Sequence, residues 1–153
     1  MIRGATKLSN SKFESEDEHF FVMKGRRWRK TDPNIPAALK DELVKSLMDA
    51  RRLVKKAKAT DDPVLMKLAR TNVNNAKVAL GERGDPWWEE PSERSRQGRI
   101  EAAYRALIYR RSGEAIDTAA VASDLAKIVC GDSWFECLDD VKITLAEVSD
   151  DHI

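Results

Sequence analysis

Apolar residues in the middle of the chain recur at spacings of three and four, the pattern of amphipathic helices. From Pro36 to about Ala59 they form one stripe, made of Leu39, Leu43, Leu47, Ala50 and Val54. A second stripe follows at Leu65, Ala69, Val73, Ala76 and Leu80. Asp62 is placed to cap the second helix ahead of Pro63, and Gly81 is placed to end it. The short connection between the two stripes predicts an antiparallel helical hairpin.

A β-prone segment precedes this helical hairpin. His19 to Met23 favours a strand, Lys24-Gly25 a two-residue turn, and Arg26 to Lys30 a second strand that pairs back. Glycine at the second turn position suits a type I′ turn, which needs positive φ. The pattern therefore predicts a two-stranded β-ribbon. Because an isolated ribbon is only marginally stable, we expect its apolar side chains to lie on other apolar groups, namely Phe20, Val22 and Trp28.

The last third of the chain predicts three more helices. The first runs from about Ser92 to Ser112 and is ended by Gly113, and the second is a short helix capped by Asp117. The third begins at Ser133, which with Glu136 matches the capping-box pattern. Their apolar faces are Ile100, Ala103, Tyr104, Leu107 and Ile108, then Val121, Leu125 and Ile128, then Trp134, Leu138, Val141, Leu145 and Val148. A helix, a short helix, a turn and a longer helix is the order of a helix-turn-helix unit.

Together these elements predict a mainly α fold in four segments. Residues 1–18 are polar and without periodicity, which indicates a disordered tail, and residues 19–81 hold the β-ribbon and the helical hairpin. Residues 82–91, with their prolines and tryptophans, are expected to form a linker. Residues 92–153 are expected to form a three-helix unit of winged-helix character that lacks the wing.

Length and composition narrow the class of protein. A chain of 153 residues can bury a core without disulfides or metal. Its 42% hydrophobic and 35% charged residues exclude collagen-like and wholly disordered proteins. No apolar run approaches the length of a membrane span, and the N-terminal residues lack the apolar segment of a signal peptide. We therefore expect a soluble cytoplasmic protein with no membrane partner.

Charge is strongly segregated along the chain although the net charge is only +1. Between Lys24 and Lys58 there are twelve Lys and Arg against four Asp and Glu. From Asp132 to Ile153 there is one Lys against seven acidic residues. An asymmetry of this kind bears on partners, and it favours nucleic acid or an acidic protein as the partner of the first half.

Two basic clusters supply the candidate residues for binding nucleic acid or an acidic partner. The second strand contributes Arg26, Arg27, Trp28 and Arg29, an aromatic ring among guanidinium groups that could stack on a base. The first helix contributes Lys45, Arg52 and Lys56 opposite the leucine stripe, with Arg51, Lys55 and Lys58 close beside them. An alternative stays open, because Asp41 and Asp49 can pair with Lys45 and Arg52 at helical spacing. Trp28 can equally belong to the core.

The linker and the last helix offer a different kind of surface. Trp87 and Trp88 would be a partner-binding hot spot if exposed, or would fold back to cover helix ends. Burial of Trp134 would expose four carboxylates on the last helix, those of Glu136, Asp139, Asp140 and Glu147. Phosphates would be repelled there, which favours a packing or partner-binding unit over a DNA reader.

Catalysis has little support in the sequence. His19 and His152 share no motif with a Cys or Ser, and no phosphate-binding loop, zinc-protease or serine-hydrolase motif is present. Cys130 and Cys137 lack the spacing of a CxxC pair and further ligands beside them, and two cysteines give no disulfide framework. We expect no enzyme activity, no cofactor and no metal site.

Three segments resemble a group of small bacterial proteins labelled biopolymer transporter Tol. They are GRRWRKTDPNIP from Gly25 to Pro36, LVKSLMDARRLVKKAK, and NNAKVALGERGDPWWEE from Asn74 to Glu90. The region from Arg99 to Val148 resembles an uncharacterised bacterial domain of winged-helix character, in which Gly131-Asp132-Ser133-Trp134 would open the last helix. Neither resemblance implies a reaction or a catalytic residue.

The sequence therefore predicts a non-catalytic cytoplasmic binding protein. Its basic first half would contact nucleic acid without sequence specificity, or an acidic partner. The alternative is a protein–protein adaptor or dimerisation module that uses the acidic last helix and the Trp87-Trp88 linker.

Overall fold

The computed structural model describes residues 18–111 and 117–150, and the chain is mainly α, as predicted. Two strands come first, β1 (Phe20–Met23) and β2 (Arg26–Arg29). The helices are α1 (Ala37–Ala59), α2 (Pro63–Ala79), α3 (Glu93–Arg110), α4 (Thr118–Cys130) and α5 (Trp134–Asp150), with a 3-10 turn (Gly131–Ser133) before α5. The predicted tail, apart from Glu18, and the predicted helix end at Gly113 lie outside the described residues.

The β-ribbon has the predicted turn. β1 and β2 pair antiparallel, with Phe20 opposite Arg29 and Met23 opposite Arg26. Lys24 and Gly25 both have positive φ, 53° and 73°, which is the type I′ geometry that suits the twist of paired strands. The expectation that Val22 lies on other apolar groups is wrong, because this residue is 71% exposed. It pairs with Arg27 near the turn at the end of β1.

Three helix starts and one helix end follow from local capping. Asp62 Oδ1 accepts from the backbone N–H of Val64 and Leu65 at 3.1 and 3.0 Å. Gly81 follows α2 with φ +80°, a conformation that favours glycine. Ser92 and Asp117 cap α3 and α4 in the same way as Asp62 caps α2.

The capping box predicted at the start of α5 is wrong. Ser133 belongs to the 3-10 turn, so its backbone is already helical where an N-cap residue would be extended. No hydrogen bond to its hydroxyl is present among the described residues. The chain therefore passes from α4 through the turn into α5 with no capping residue of the predicted kind.

The two cysteines form a disulfide, which corrects the expectation that they give no disulfide framework. Cys130 ends α4 and Cys137 lies in the first turn of α5, with 6.7 Å between their Cα atoms. The bond spans the 3-10 turn and ties the two helices together at that end. Spacing alone could not reveal it, because the turn is what brings the two residues together.

The chain divides into two compact units, Met1–Thr31 and Asp32–Ile153. All five helices share one hydrophobic core in the second unit. Every helix contributes fully buried residues to this core, and so does Leu80, which directly follows α2. Other examples are Leu43, Leu107, Leu125 and Val141. The helical hairpin and the three later helices thus belong to one compact unit, in which they cover each other's apolar faces.

Polar contacts also cross this core. Arg111, just after α3, makes two hydrogen bonds to Glu42 of α1 and a third to Asp124 of α4, at 2.7 to 2.9 Å. The hydrogen bond to Glu42 is the main cause that raises the pKa of Arg111 above its ordinary value, against the opposing effect of burial. Ser46 of α1 donates to the backbone carbonyl of Ala106 in α3 at 3.3 Å. These bonds place α3 against one side of α1.

Candidate functional site

The basic residues of the β-ribbon interact with aromatic rings inside the ribbon. The Arg26 guanidinium lies over the Trp28 ring, 4.6 Å from its centroid, and Arg27 lies over the Phe20 ring at 3.7 Å. Trp28 and Arg29 are half-buried, whereas Arg26 and Arg27 are exposed. A nucleobase stacking on the Trp28 face that Arg26 covers would have to displace that guanidinium.

The three basic residues predicted on α1 share one exposed side but differ in their ionic contacts. Lys45 pairs with Asp41 at 3.0 Å and Arg52 with Asp49 at 3.2 Å, which confirms the pairing that helical spacing allows. Lys56 is exposed, and no ion pair among the described residues involves it. Two of the three predicted cations therefore have a carboxylate partner, and Arg52 shares its partner Asp49 with Arg110.

A second group of cations lies on a different side of the helical hairpin. We call it the basic face, and it consists of Arg51, Lys55 and Lys58 on α1 with Lys67 and Arg70 on α2. All five side chains belong to exposed residues. None of the ion pairs found in residues 18–111 and 117–150 includes any of them.

Helix geometry places both rows of the basic face on the same side. The hairpin is antiparallel, because the N–H of Asp32 before α1 donates to the carbonyl of Leu80 after α2 at 2.9 Å. Successive residues of a helix advance by about 100° around its axis. Seen from the N-terminal end of α1, Arg51, Lys55 and Lys58 lie about 60–120° clockwise of the buried side of α1. Seen from that same end, Lys67 and Arg70 lie about 100–160° anticlockwise of the buried side of α2, because α2 runs in the opposite direction. Since the buried sides face each other, both rows point the same way.

The acidic residues of the hairpin helices lie away from the basic face. α2 contains no Asp or Glu, and α1 contains only Asp41, Glu42 and Asp49. Each of the three forms an ion pair, with Lys45, with Arg111, and with both Arg52 and Arg110 respectively. Glu42 and Asp49 are on the side of α1 that packs against α3. The basic face therefore has no carboxylate from its own helices to neutralise it.

Trp87 and Trp88 fold against each other and against the end of α2. Their rings meet edge to face with centroids 5.2 Å apart, and both residues are half-buried. A Cβ on Gly81 would lie 3.1 Å from Trp87 Cδ1 and 3.0 Å from Asp32 Cβ, so the glycine permits this packing. The arrangement corresponds to the alternative in which the tryptophans cover a helix end, and their role in binding a partner stays a prediction.

The last helix exposes the four predicted carboxylates, Glu136, Asp139, Asp140 and Glu147. Two large apolar side chains stand among them, Phe135 at 73% and Ile143 at 60% exposed. Ile143 and Asp140 line one side of an open cavity of about 440 Å³, whose other side includes Glu93 and Ile100 of α3. This surface was not predicted, because Phe135 lies outside the apolar stripe of α5 and carries no sequence signal for exposure.

A second cavity, of about 310 Å³, lies beside the disulfide and includes Trp87, Arg96, Arg99 and Cys130 in its wall. Its two arginines already bond to carboxylates, Arg99 to Asp32 at 2.9 Å and Arg96 to Glu90 at 3.2 Å. Within the described ranges no group of three or more His, Cys, Asp or Glu could hold a metal ion. Asp32 is a residue that sequence reasoning missed, since its partner is distant in sequence.

Comparison of the chain with models of protein families, with curated proteins and with solved structures finds no match. The resemblances noted in the sequence therefore stay predictions. None of the helices within residues 18–111 and 117–150 combines the length and apolar character needed to cross a membrane.

Proposed function

We propose that this protein is a non-catalytic, cytoplasmic nucleic-acid-binding protein that binds the phosphates of nucleic acid without sequence specificity. The observation that supports this most directly is the basic face, five exposed cations on two packed helices. The helices place no carboxylate among them, and Asp61 and Asp62 lie at one end, in the turn after Lys58. Lys and Arg held in this way bind phosphate as point charges and as forked donors. The Arg-rich strand of the β-ribbon would add to the same electrostatic attraction.

The proposal assigns different weights to the predicted residues. Lys56 and the basic face can exchange counterions for phosphates directly, whereas Lys45 and Arg52 would first have to leave Asp41 and Asp49. The difference is expected to be measurable, because each phosphate contact adds about 0.9 to the slope of log affinity against log salt.

The test is fluorescence anisotropy of a labelled duplex titrated with the full chain over a range of salt concentrations. We expect affinity to fall tenfold or more between about 50 and 200 mM salt and to be similar for unrelated sequences. No binding at tens of micromolar protein and low salt, or binding that ignores salt, would show that the protein does not grip phosphates.

The chain offers a matched pair of variants for this experiment. Arg51→Ala/Lys55→Ala removes one Arg and one Lys from the basic face, and Arg52→Ala/Lys45→Ala removes one of each from the paired side of the same helix. The first should lower the salt slope by about 1.8, and the second by clearly less. Equal effects would mean that net charge alone attracts the ligand and that the basic face has no special part.

A second candidate function is an adaptor or dimerisation module, favoured by the exposure of Phe135 and Ile143 on α5. Large apolar groups ringed by charge are a common composition of contact surfaces. Sedimentation velocity over a hundredfold range of protein concentration tests self-association, with Phe135→Ser as the variant that should abolish it. A monomer at all concentrations would remove dimerisation from consideration.

A further inference from the structure

The basic face also indicates which form of nucleic acid it accepts, an inference that rests on the proposed function. Its five cations form two rows on neighbouring helices. Along α1 the row Arg51, Lys55, Lys58 advances about 6 Å and then about 4.5 Å at 1.5 Å per residue. The second row lies on α2, about 8–10 Å away between helix axes. The result is a compact array of charge on a rigid, continuous surface.

This surface has no means of holding unpaired bases. Neither α1 nor α2 contains a Phe, Tyr or Trp. Proteins that bind single strands without sequence preference combine a basic groove with aromatic rings on which bases stack, each worth about 1–3 kcal/mol. The basic face has the cations of such a site and lacks its rings.

Two polar side chains beside the cations, Thr71 and Asn74, are also engaged in hydrogen bonds. A shallow groove on this side is lined by Pro63, Met66, Thr71 and Asn74 together with Lys67 and Arg70. The Thr71 hydroxyl donates to the Lys67 carbonyl at 3.0 Å, and Asn74 Oδ1 accepts from Arg83 at 3.2 Å. The groove therefore offers no aromatic ring to a base, and the Asn74 carbonyl is already engaged, so charge is the main means of recognition.

We infer that the ligand of the basic face is double-stranded nucleic acid, bound through phosphates alone. A duplex keeps its bases inside and presents about one negative charge per 1.7 Å of axis, so a rigid array of cations meets a rigid array of phosphates. A flexible single strand would have to be ordered against this surface with no stacking to offset the loss of entropy.

The test compares ligands that carry equal numbers of phosphates. The full chain is titrated into a labelled DNA duplex, an RNA duplex of the same sequence, and oligothymidylate with as many phosphates as either duplex. At about 100 mM salt we expect at least one duplex to bind tenfold or more tightly than oligothymidylate. The two duplex arms show whether B-form or A-form phosphate spacing is preferred.

Each outcome separates this inference from the proposed function. Equal or tighter binding of oligothymidylate would overturn the duplex assignment while leaving phosphate binding in place. Binding of no nucleic acid in any arm would overturn both. Displacement of the duplex by polyglutamate at a charge concentration well below that of the duplex phosphates would show a site for acidic protein, and would also overturn both.

Variants separate binding by the basic face from binding by the β-ribbon. The separation is needed because Trp28 of the ribbon lies among arginines and could stack on an unpaired base. Trp28→Ala should lower any residual affinity for oligothymidylate by a larger factor than it lowers duplex affinity, whereas Arg51→Ala/Lys55→Ala should lower duplex affinity at least tenfold. Circular dichroism and thermal melting confirm that each variant is folded. A large loss of duplex affinity in Trp28→Ala would move the duplex site to the ribbon and overturn the inference.

Discussion

The Asp32 carboxylate and the Arg99 guanidinium, 67 residues apart in sequence, form an ion pair with 2.9 Å between Oδ2 and Nη2. Both side chains are largely buried, at 5% and 14% exposure. Arg99 also donates to the carbonyl of Ala79 at 3.1 and 3.3 Å, and Asp32 Oδ1 accepts from the N–H of Asn34. Burial lowers the pKa of Arg99, while the charge of Asp32 and its hydrogen bond act in the opposite direction. The pair joins the start of α1, the end of α2 and the first half of α3.

Removal of one partner from this pair should be strongly destabilising. Asp32→Ala leaves the Arg99 guanidinium buried without a counter-charge, and loss of one member of a buried pair typically costs about 3–5 kcal/mol. Urea denaturation measures the free energy of unfolding. The control is Asp41→Ala, which breaks the exposed pair with Lys45 and should cost less than about 1 kcal/mol. Similar costs for the two variants would contradict a structural role for the buried pair.

The two serine positions at helix starts should respond differently to substitution. Ser92 Oγ accepts from the N–H of Ser95 at 3.1 Å, so Ser92→Ala should cost about 1 kcal/mol. Ser133 lies in the 3-10 turn, and Ser133→Ala should change stability by no more than about 0.5 kcal/mol. Thermal melting of both variants checks the difference. A loss at Ser133 as large as that at Ser92 would restore the capping box.

The disulfide should contribute to stability even though it closes a short loop. For a loop of this length the chain-entropy estimate is about 2–3 kcal/mol, and Cys137 is buried besides. Cys130→Ser/Cys137→Ser should therefore lower the melting temperature, and a reductant should lower that of the original chain but not of the variant.

Thiol trapping in intact cells tests the proposed cytoplasmic location of the protein, because persistent disulfides are rare in the cytoplasm. A bond that is fully oxidised in cells would argue for another compartment.

Features decided within a few residues could be predicted from the sequence. The type I′ turn at Lys24-Gly25, the cap at Asp62 and the pairing of Lys45 with Asp41 each depend on neighbours no more than four residues away. The Asp32–Arg99 pair could not be predicted, because its members meet only after three helices have packed. The α1 row of the basic face was visible in the composition of the chain, whereas Lys67 and Arg70 of α2 were not singled out. The separation of the face from the acidic residues depends on α3 covering one side of α1.

The acidic surface of α5 gives a last prediction about nucleic acid. Asp139 and Asp140 are exposed, so Asp139→Lys/Asp140→Lys should alter the free energy of unfolding by no more than about 0.5 kcal/mol for each site. Because the change replaces two repulsive charges with attractive ones, non-specific duplex affinity should rise, most clearly at low salt where screening is weak. Asp139→Asn/Asp140→Asn is the matched control and should give a smaller rise. If the unmodified protein instead selects one duplex sequence and the Lys variant loses that selectivity, α5 reads DNA and its carboxylates take part in recognition.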